Sequence, residues 1–149
     1  SWVPLWFGHQ AAADGRNPVI GTARVVGALR SVLDAWRGTA LASRNARVET
    51  PLRRGEAWLA VRQRPDGAWG MGPAATVEET ALAVIALSAG GETCAAAAKR
   101  GCEWLAGNWP EGAQRPAPIG LYFALLWYHE RLYPLVWALD ALARNLQQK

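Results

Sequence analysis

The chain holds few residues whose type and spacing could do chemistry, and the adjacent carboxyl groups of Glu78 and Glu79 come first among them. A positioned carboxyl group can act as a general acid. The same pair, however, follows Thr76 in the pattern Thr-x-x-Glu, a capping box that begins a helix, where the helix dipole already favours acidic side chains. We therefore predict no catalytic residue, and we keep Glu78 as the alternative acid.

Metal and disulfide chemistry are not expected. His9 and His129 are far apart in the sequence and lack partners at metal-ligand spacing, so we predict neither a metal nor a cofactor. Cys94 and Cys102 fall on one predicted helix, roughly two turns and ~12 Å apart, which is too far for a disulfide. We interpret them as small buried residues in a reducing compartment.

The charge pattern excludes one class of partner. The chain of 149 residues has a net charge of +4, and a nucleic-acid surface would need its basic residues clustered with aromatic ones. Most of the arginines are instead scattered: Arg16, Arg24, Arg30, Arg37, Arg44, Arg47, Arg53 and Arg54. We expect no nucleic-acid partner, although attraction to an anionic lipid surface is compatible with this charge.

The apolar runs are too short for a membrane span, which needs about 20 residues, and the first residues lack the order of a signal peptide. A Trp-rich beginning without Met indicates a fragment. We predict a cytoplasmic location, with peripheral association at a membrane as the alternative.

The hydrophobic spacing predicts an all-α chain. Apolar residues recur at three-four spacing, and Gly and Pro separate about six helices with no convincing strand. Residues 39–49 are ambiguous, and Thr50-Pro51 is a typical helix start. The predicted helices cover residues 19–36, 51–63, 79–89, 92–109, 121–133 and 134–149.

An internal repeat organises these helices. The segment Arg-Gly-Glu-Ala-Trp-Leu-Ala at residues 54–60 recurs as Arg-Gly-Cys-Glu-Trp-Leu-Ala at residues 100–106. A period of this size with two helices in each unit is typical of stacked helical hairpins.

A second motif surrounds the first copy of the repeat. Gly55, Trp58, Gln63, Gly67 and Trp69 resemble the QW repeat of squalene-hopene cyclases and oxidosqualene cyclases. Residues 1–8, 17–30, 78–91 and 119–144 resemble further segments of that family in the same order. The resemblance implies a single domain over residues 1–149, the C-terminal half of an α/α toroid of helical hairpins. It also implies that Gln63 satisfies backbone groups at a helix end and stacks on the Trp.

The same resemblance implies a function. The family cyclises a long polyprenyl chain, an isomerase-type reaction, in a cavity lined by aromatic rings that stabilise carbocations. Carried over by position, the cavity residues are Trp6, Phe7, Ile20, Leu82, Tyr122, Leu126 and His129. Several of these replace an aromatic residue of the family, and Arg62 stands where the family has a His.

The acid that begins the family's reaction is not in this sequence. The family uses Asp-x-Asp-Asp, whereas the aspartates here are isolated at positions 14, 34, 66 and 140. We therefore expect the chain alone to be inactive and to need the rest of the cyclase chain, or to self-associate. The alternative is a non-catalytic helical-hairpin module that binds an isoprenoid lipid or a protein partner.

Overall fold

The computed structural model describes residues 1–146, which are mostly helical with one small sheet. The prediction of a helical fold is confirmed, whereas the prediction of no strand is wrong. The described residues form five α-helices and three strands, in the order β1 (Phe7–His9), α1 (Pro18–Trp36), α2 (Asn45–Val61), α3 (Val77–Leu87), α4 (Glu92–Gly112), β2 (Pro118–Leu121), β3 (Leu126–His129) and α5 (Leu132–Leu146). The predicted residues 147–149 of the last helix lie outside the described part.

The helices pack in two rows. In the first row α3 lies between α1 and α5, and in the second row α2 packs on α1 while α4 packs on both α3 and α5. The core lies between the rows, and α3 is its centre because nearly every residue of that helix is buried. Beyond its first turn this helix is apolar on all sides, as expected in such a position.

The first hairpin, α1 with α2, is held by a close helix contact. A Cβ atom at Gly55 would lie 2.6 Å from Cγ2 of Val26 and 2.8 Å from the ring of Trp2, so only glycine fits there. The backbone N–H of Trp2 donates to the hydroxyl of Thr22 on α1 at 2.9 Å. The Trp ring is thereby clamped between the two helices.

The second hairpin, α3 with α4, repeats this arrangement residue for residue. A Cβ atom at Gly101 would lie 2.5 Å from Cγ2 of Val84 and 2.8 Å from the ring of Trp69. The backbone N–H of Trp69 donates to the hydroxyl of Thr80 at 3.0 Å. The sequence repeat therefore corresponds to a structural repeat in which a preceding Trp, a Thr on the first helix and a Gly on the second helix meet.

The predicted start of the second helix at Pro51 is wrong. The 3-10 helix Ala40–Arg44, capped by Thr39, leads into α2 at Asn45, and Pro51 lies inside α2. Proline removes one backbone hydrogen bond there, but the buried side chains of Val48 and Leu52 lie on either side of it and pack on the rest of the molecule. This packing carries the helix through the proline.

The predicted helix over residues 121–133 is also wrong. Residues 122–129 form a 3-10 turn at Tyr122–Ala124 and the strand β3, joined through Leu125, whose φ of 52° is left-handed. The predicted helix boundary at Pro134 is wrong as well, because α5 begins at Leu132 and Pro134 lies in its first turn. Strand β2 pairs antiparallel with β3 on one side and with β1 on the other. A Cβ atom at Gly120 would lie 1.9 Å from the carbonyl oxygen of Leu126, so this close pairing requires glycine.

Two smaller predictions are confirmed. Cys94 and Cys102 are buried free thiols on α4. Thr76 caps α3 by accepting a hydrogen bond from the backbone N–H of Glu79.

Within the described residues, no helix has the length and apolar character needed to cross a membrane.

Candidate ligand cavity and the Gln63–Trp69 junction

Gln63 joins the two hairpins. It follows α2, and its Nε2 donates hydrogen bonds to the carbonyl oxygens of Gly67 and Ala97, each at 2.8 Å. Its Oε1 accepts a hydrogen bond from the guanidinium of Arg100. One amide side chain therefore ties the end of α2 to the following turn and to α4, which uses its donors and its acceptor together.

Trp69 joins the same two hairpins from the inside. Its ring is fully buried, and its Nε1 donates to the carbonyl oxygen of Leu59 on α2 at 2.9 Å. Trp58, in contrast, is only half-buried, packs against the edge of the core, and has the guanidinium of Arg62 5.3 Å from its ring. The contacts that Gln63 and Trp69 make are thus core packing and hydrogen bonds to backbone carbonyl groups.

The turn between Gln63 and Trp69 depends on glycine. Gly67 has a φ of 91°, and a Cβ atom there would lie 2.9 Å from the carbonyl oxygen of Arg100. The carboxylate of Asp66 accepts a hydrogen bond from the N–H of Ala68, which closes the turn. Left-handed backbone and close approach both require glycine at this position.

Glu79 is a fully buried carboxylate with two hydrogen-bond partners. It accepts from the N–H of Met71 at 2.9 Å and from the hydroxyl of Thr76 at 2.7 Å. Nε2 of His9 lies 3.9 Å from Oε2 of Glu79, beyond hydrogen-bond distance. The side chain of Glu79 thus fastens the loop before α3.

Glu78 is buried with one unpaired oxygen. Its Oε1 accepts a hydrogen bond from the N–H of Ala117 at 2.7 Å, and its Oε2 has no partner among the described residues. Burial raises the pKa of Glu78 to about 7, and the nearby Glu79 charge adds to the rise, against hydrogen bonds from the backbone N–H groups of Glu78 and Ala117. Glu78 therefore exchanges a proton near neutral pH, while its contact holds the segment before β2.

An apolar cavity of about 470 Å³ is the candidate ligand site. Its size is within the range of roughly 300–1,000 Å³ found for small-molecule sites. The wall is formed by the segment before β1, by α1, by the sheet and by α5. Its aromatic residues are Trp2, Phe7, Tyr128, Tyr133 and Trp137, and its aliphatic residues include Val3, Ile20, Val25 and Ile119.

The aromatic side of the cavity is ordered by stacking. The rings of Tyr133 and Trp137, four residues apart on α5, stack with centroids 4.4 Å apart and planes at 20°. The guanidinium of Arg24, on α1, lies 5.0 Å from the centroid of Trp137. This distance is within the range of a cation–π interaction, which connects α1 to α5 at the cavity.

Of the cavity residues proposed from the resemblance, Phe7 and Ile20 lie in this wall. The other five lie elsewhere. Trp6 and Leu126 are exposed, and the Trp6 ring packs edge-on against Phe123. Leu82 is buried in the helical core. Tyr122 and His129 are expected on one helix face. Tyr122 instead begins the 3-10 turn between β2 and β3, and His129 is the last residue of β3.

Sequence reasoning missed most of the aromatic wall. The sequence predicts a helix at Tyr128, whereas the residue lies in strand β3, and a strand turns its side chain in a different direction. Tyr133 and Trp137 carry a usable signal, since residues four apart on a helix lie on the same face. Arg24 had no distinguishing pattern among the scattered arginines.

Comparison of the chain with protein-family models, with curated proteins and with solved structures gave no match.

Proposed function

We propose that this chain is the C-terminal part of a squalene-hopene-cyclase-like terpenoid cyclase and that its cavity holds a long apolar isoprenoid. The observation that carries the proposal is the aromatic wall between α1, the sheet and α5. A cavity lined by ring faces suits a polyene whose cyclisation passes through carbocations, because ring faces attract positive charge. The isomerase-type reaction itself comes from the resemblance.

The toroid of that family is part of the same proposal. Two equivalent hairpins and α5 supply a first row of three helices and a second row of two, as expected for part of an α/α toroid. The contacts of Gln63 and Trp69 support it, since each ties one hairpin to the next. The free thiols of Cys94 and Cys102 support a reducing, cytoplasmic location.

In this proposal, the acid that donates the proton lies outside this chain. Among residues 1–146, no Asp or Glu lines the cavity, and the carboxylate of Glu78 accepts a hydrogen bond from the N–H of Ala117 instead. Protonation of an alkene needs a strong, positioned acid. The chain therefore provides the wall of the site, and the rest of the cyclase chain supplies the acid. Purified chain incubated with squalene should give no cyclic triterpene above the blank, and a cyclic product would refute this division of roles.

A non-catalytic helical-hairpin module is the second candidate. The observation that favours it is the same cavity wall without a carboxyl group, since binding an isoprenoid lipid needs no acid. An Asp-x-Asp-Asp motif upstream in the full-length gene would favour the cyclase, and its absence would favour the binding module.

Equilibrium dialysis with radiolabelled farnesol tests the shared part of both candidates. Ile20→Trp puts a larger side chain into the cavity from α1. It should weaken farnesol binding by roughly tenfold or more, because the ring occupies space that the ligand would fill. Val61→Trp is the matched control, because Val61 is 85% exposed on α2. Equal affinity of the parent and Ile20→Trp would show that the ligand does not bind in this cavity.

A further inference from the structure

We propose that the ligand of this cavity ends in an anionic oxygen group and that Arg24 binds that group. The inference rests on the proposed function, since it concerns the same cavity. Within that function it assigns the cavity an isoprenoid with an acidic end group, in place of a neutral hydrocarbon such as squalene. It is carried by two hydrogen-bond donors in the wall, Arg24 and Asn17, and by the absence of a carboxylate among the described lining residues.

Arg24 is a cation without a counter-ion. No carboxylate within residues 1–146 forms an ion pair with it. Its side chain is exposed at the cavity, and its guanidinium lies over the ring of Trp137. No hydrogen bond from the Arg24 guanidinium to another group is seen in residues 1–146, so its N–H groups are free to donate to a carboxylate or a phosphate.

Asn17 is the second donor. Its Oδ1 accepts a hydrogen bond from the N–H of Ile20 at 3.1 Å and so caps α1, which assigns the oxygen of the amide. The remaining Nδ2 has no partner in the described structure, although the residue is only 1% exposed. A buried N–H group without an acceptor is costly, and a small turn of the Asn17 side chain toward the cavity would let an oxygen of the ligand accept a hydrogen bond from it.

The two donors define the ligand class together with the rest of the wall. Both lie on or next to the first two turns of α1, whose N-terminal end is the positive end of the helix dipole. The remaining wall is apolar and aromatic. The matching molecule has an apolar chain and one terminal group with anionic oxygens, either a carboxylate or a phosphate.

Equilibrium dialysis with farnesol, farnesoic acid and farnesyl phosphate tests this inference, because the three probes share one isoprenoid chain. At least one acidic probe should bind roughly tenfold more tightly than farnesol, the size expected of a charge-assisted hydrogen bond. Tighter binding of farnesyl phosphate than of farnesoic acid identifies a phosphate head, and the reverse order identifies a carboxylate. Both orders support the inference.

Variants at Arg24 locate the effect. Arg24→Gln should reduce the ratio of acidic-probe affinity to farnesol affinity to about one. Arg24→Lys keeps the charge but loses the planar guanidinium over Trp137, so it should retain only part of the ratio. Arg54→Gln is the matched control, since Arg54 is exposed on α2 and does not line the cavity. Circular dichroism of each variant confirms that it is folded.

The contrary outcomes separate the two proposals. Equal binding of the three probes to the parent, or a preference that survives in Arg24→Gln, overturns the acidic-ligand inference and leaves the apolar cavity in place. Failure of all three probes to bind overturns the proposed function and this inference with it.

Discussion

Gln63 and Ala97 are 34 residues apart, and the Nε2 atom of Gln63 donates a hydrogen bond to the carbonyl oxygen of Ala97 at 2.8 Å. This bond crosses from the end of the first hairpin to the second helix of the next. The same Nε2 also reaches the carbonyl oxygen of Gly67. A single side chain therefore fixes the position of one hairpin relative to the other.

Replacing this side chain should destabilise the fold. We expect Gln63→Ala to lower the free energy of unfolding by about 1–3 kcal/mol, because it leaves partly buried carbonyl groups and Arg100 without their partner. Urea unfolding measures the change. Gln10→Ala is the control, since Gln10 is exposed. A Gln63→Ala midpoint equal to that of the parent would mean that the amide does not join the hairpins.

Two glycines of α4 test the close contact that Gly101 makes with Val84 and Trp69. Gly101→Ala places a Cβ atom 2.5 Å from Val84 and 2.8 Å from Trp69, so we expect it to destabilise by about 1–3 kcal/mol. Gly107 is on the same helix with no atom within 4 Å of its Cβ position, so Gly107→Ala should stabilise by about 0.5–1 kcal/mol. Effects of the same sign in the two variants would contradict the close packing of Trp69 on α4.

The repeated hairpins could be predicted from the sequence because their signals are local. The three-four spacing, the Thr76 cap and the Pro-Asp-Gly turn each act within a few residues, and Gln63 and Trp69 stand in a recognisable order. The boundary at Pro51 failed because packing of α2 outweighed a local preference. Such tertiary override is the usual limit of propensity.

The sheet and most of the cavity could not be predicted, because they depend on distant pairing. A short apolar run such as residues 121–129 fits a helix or a strand equally well by periodicity. The strand β3 in this run pairs with β2, which pairs in turn with β1 from the other end of the chain. The cavity uses the same two ends, so Phe7 and Ile20 were placed in it by resemblance, whereas Tyr128 and Trp137 were not.

The buried carboxyl group of Glu78 should make stability depend on pH. Its pKa is raised from 4.5 to about 7, so between these pH values the folded state keeps a proton that the unfolded state releases. The free energy of unfolding therefore falls as the pH rises through this window, by up to about 3 kcal/mol at about 1.4 kcal/mol for each pH unit.

Glu78→Gln removes this titration and keeps an oxygen that can accept from the N–H of Ala117. We expect it to lose less stability than the parent between pH 5 and pH 8, measured by urea unfolding at both values. Glu103→Gln, an exposed change on α4, should follow the parent. Parallel pH dependence in Glu78→Gln and the parent would show that Glu78 has an ordinary pKa.

The outer face of α5 should cause the chain to associate with a second copy of itself. Leu132, Val136, Leu139 and Leu146 are each more than half exposed, and their three-four spacing places them in one stripe along the helix. In each of the two hairpins a second helix packs on the first, whereas within the described residues no helix covers this side of α5. An uncovered apolar stripe at the end of a helical array is typical of an interface.

Light scattering coupled to gel filtration, at low micromolar concentration without detergent, should give the mass of a dimer, as two-fold pairing of identical stripes predicts. Leu139→Lys places a charge in the middle of the stripe and should shift the mass to that of a monomer. Val61→Lys is the matched control, because Val61 is an equally apolar exposed residue that lies on α2, outside the stripe. A monomeric parent would show that the face of α5 does not pair two copies, and a dimer that persists in Leu139→Lys would place the interface elsewhere, with the exposed side chains of Leu5, Trp6 and Phe7 next to be changed.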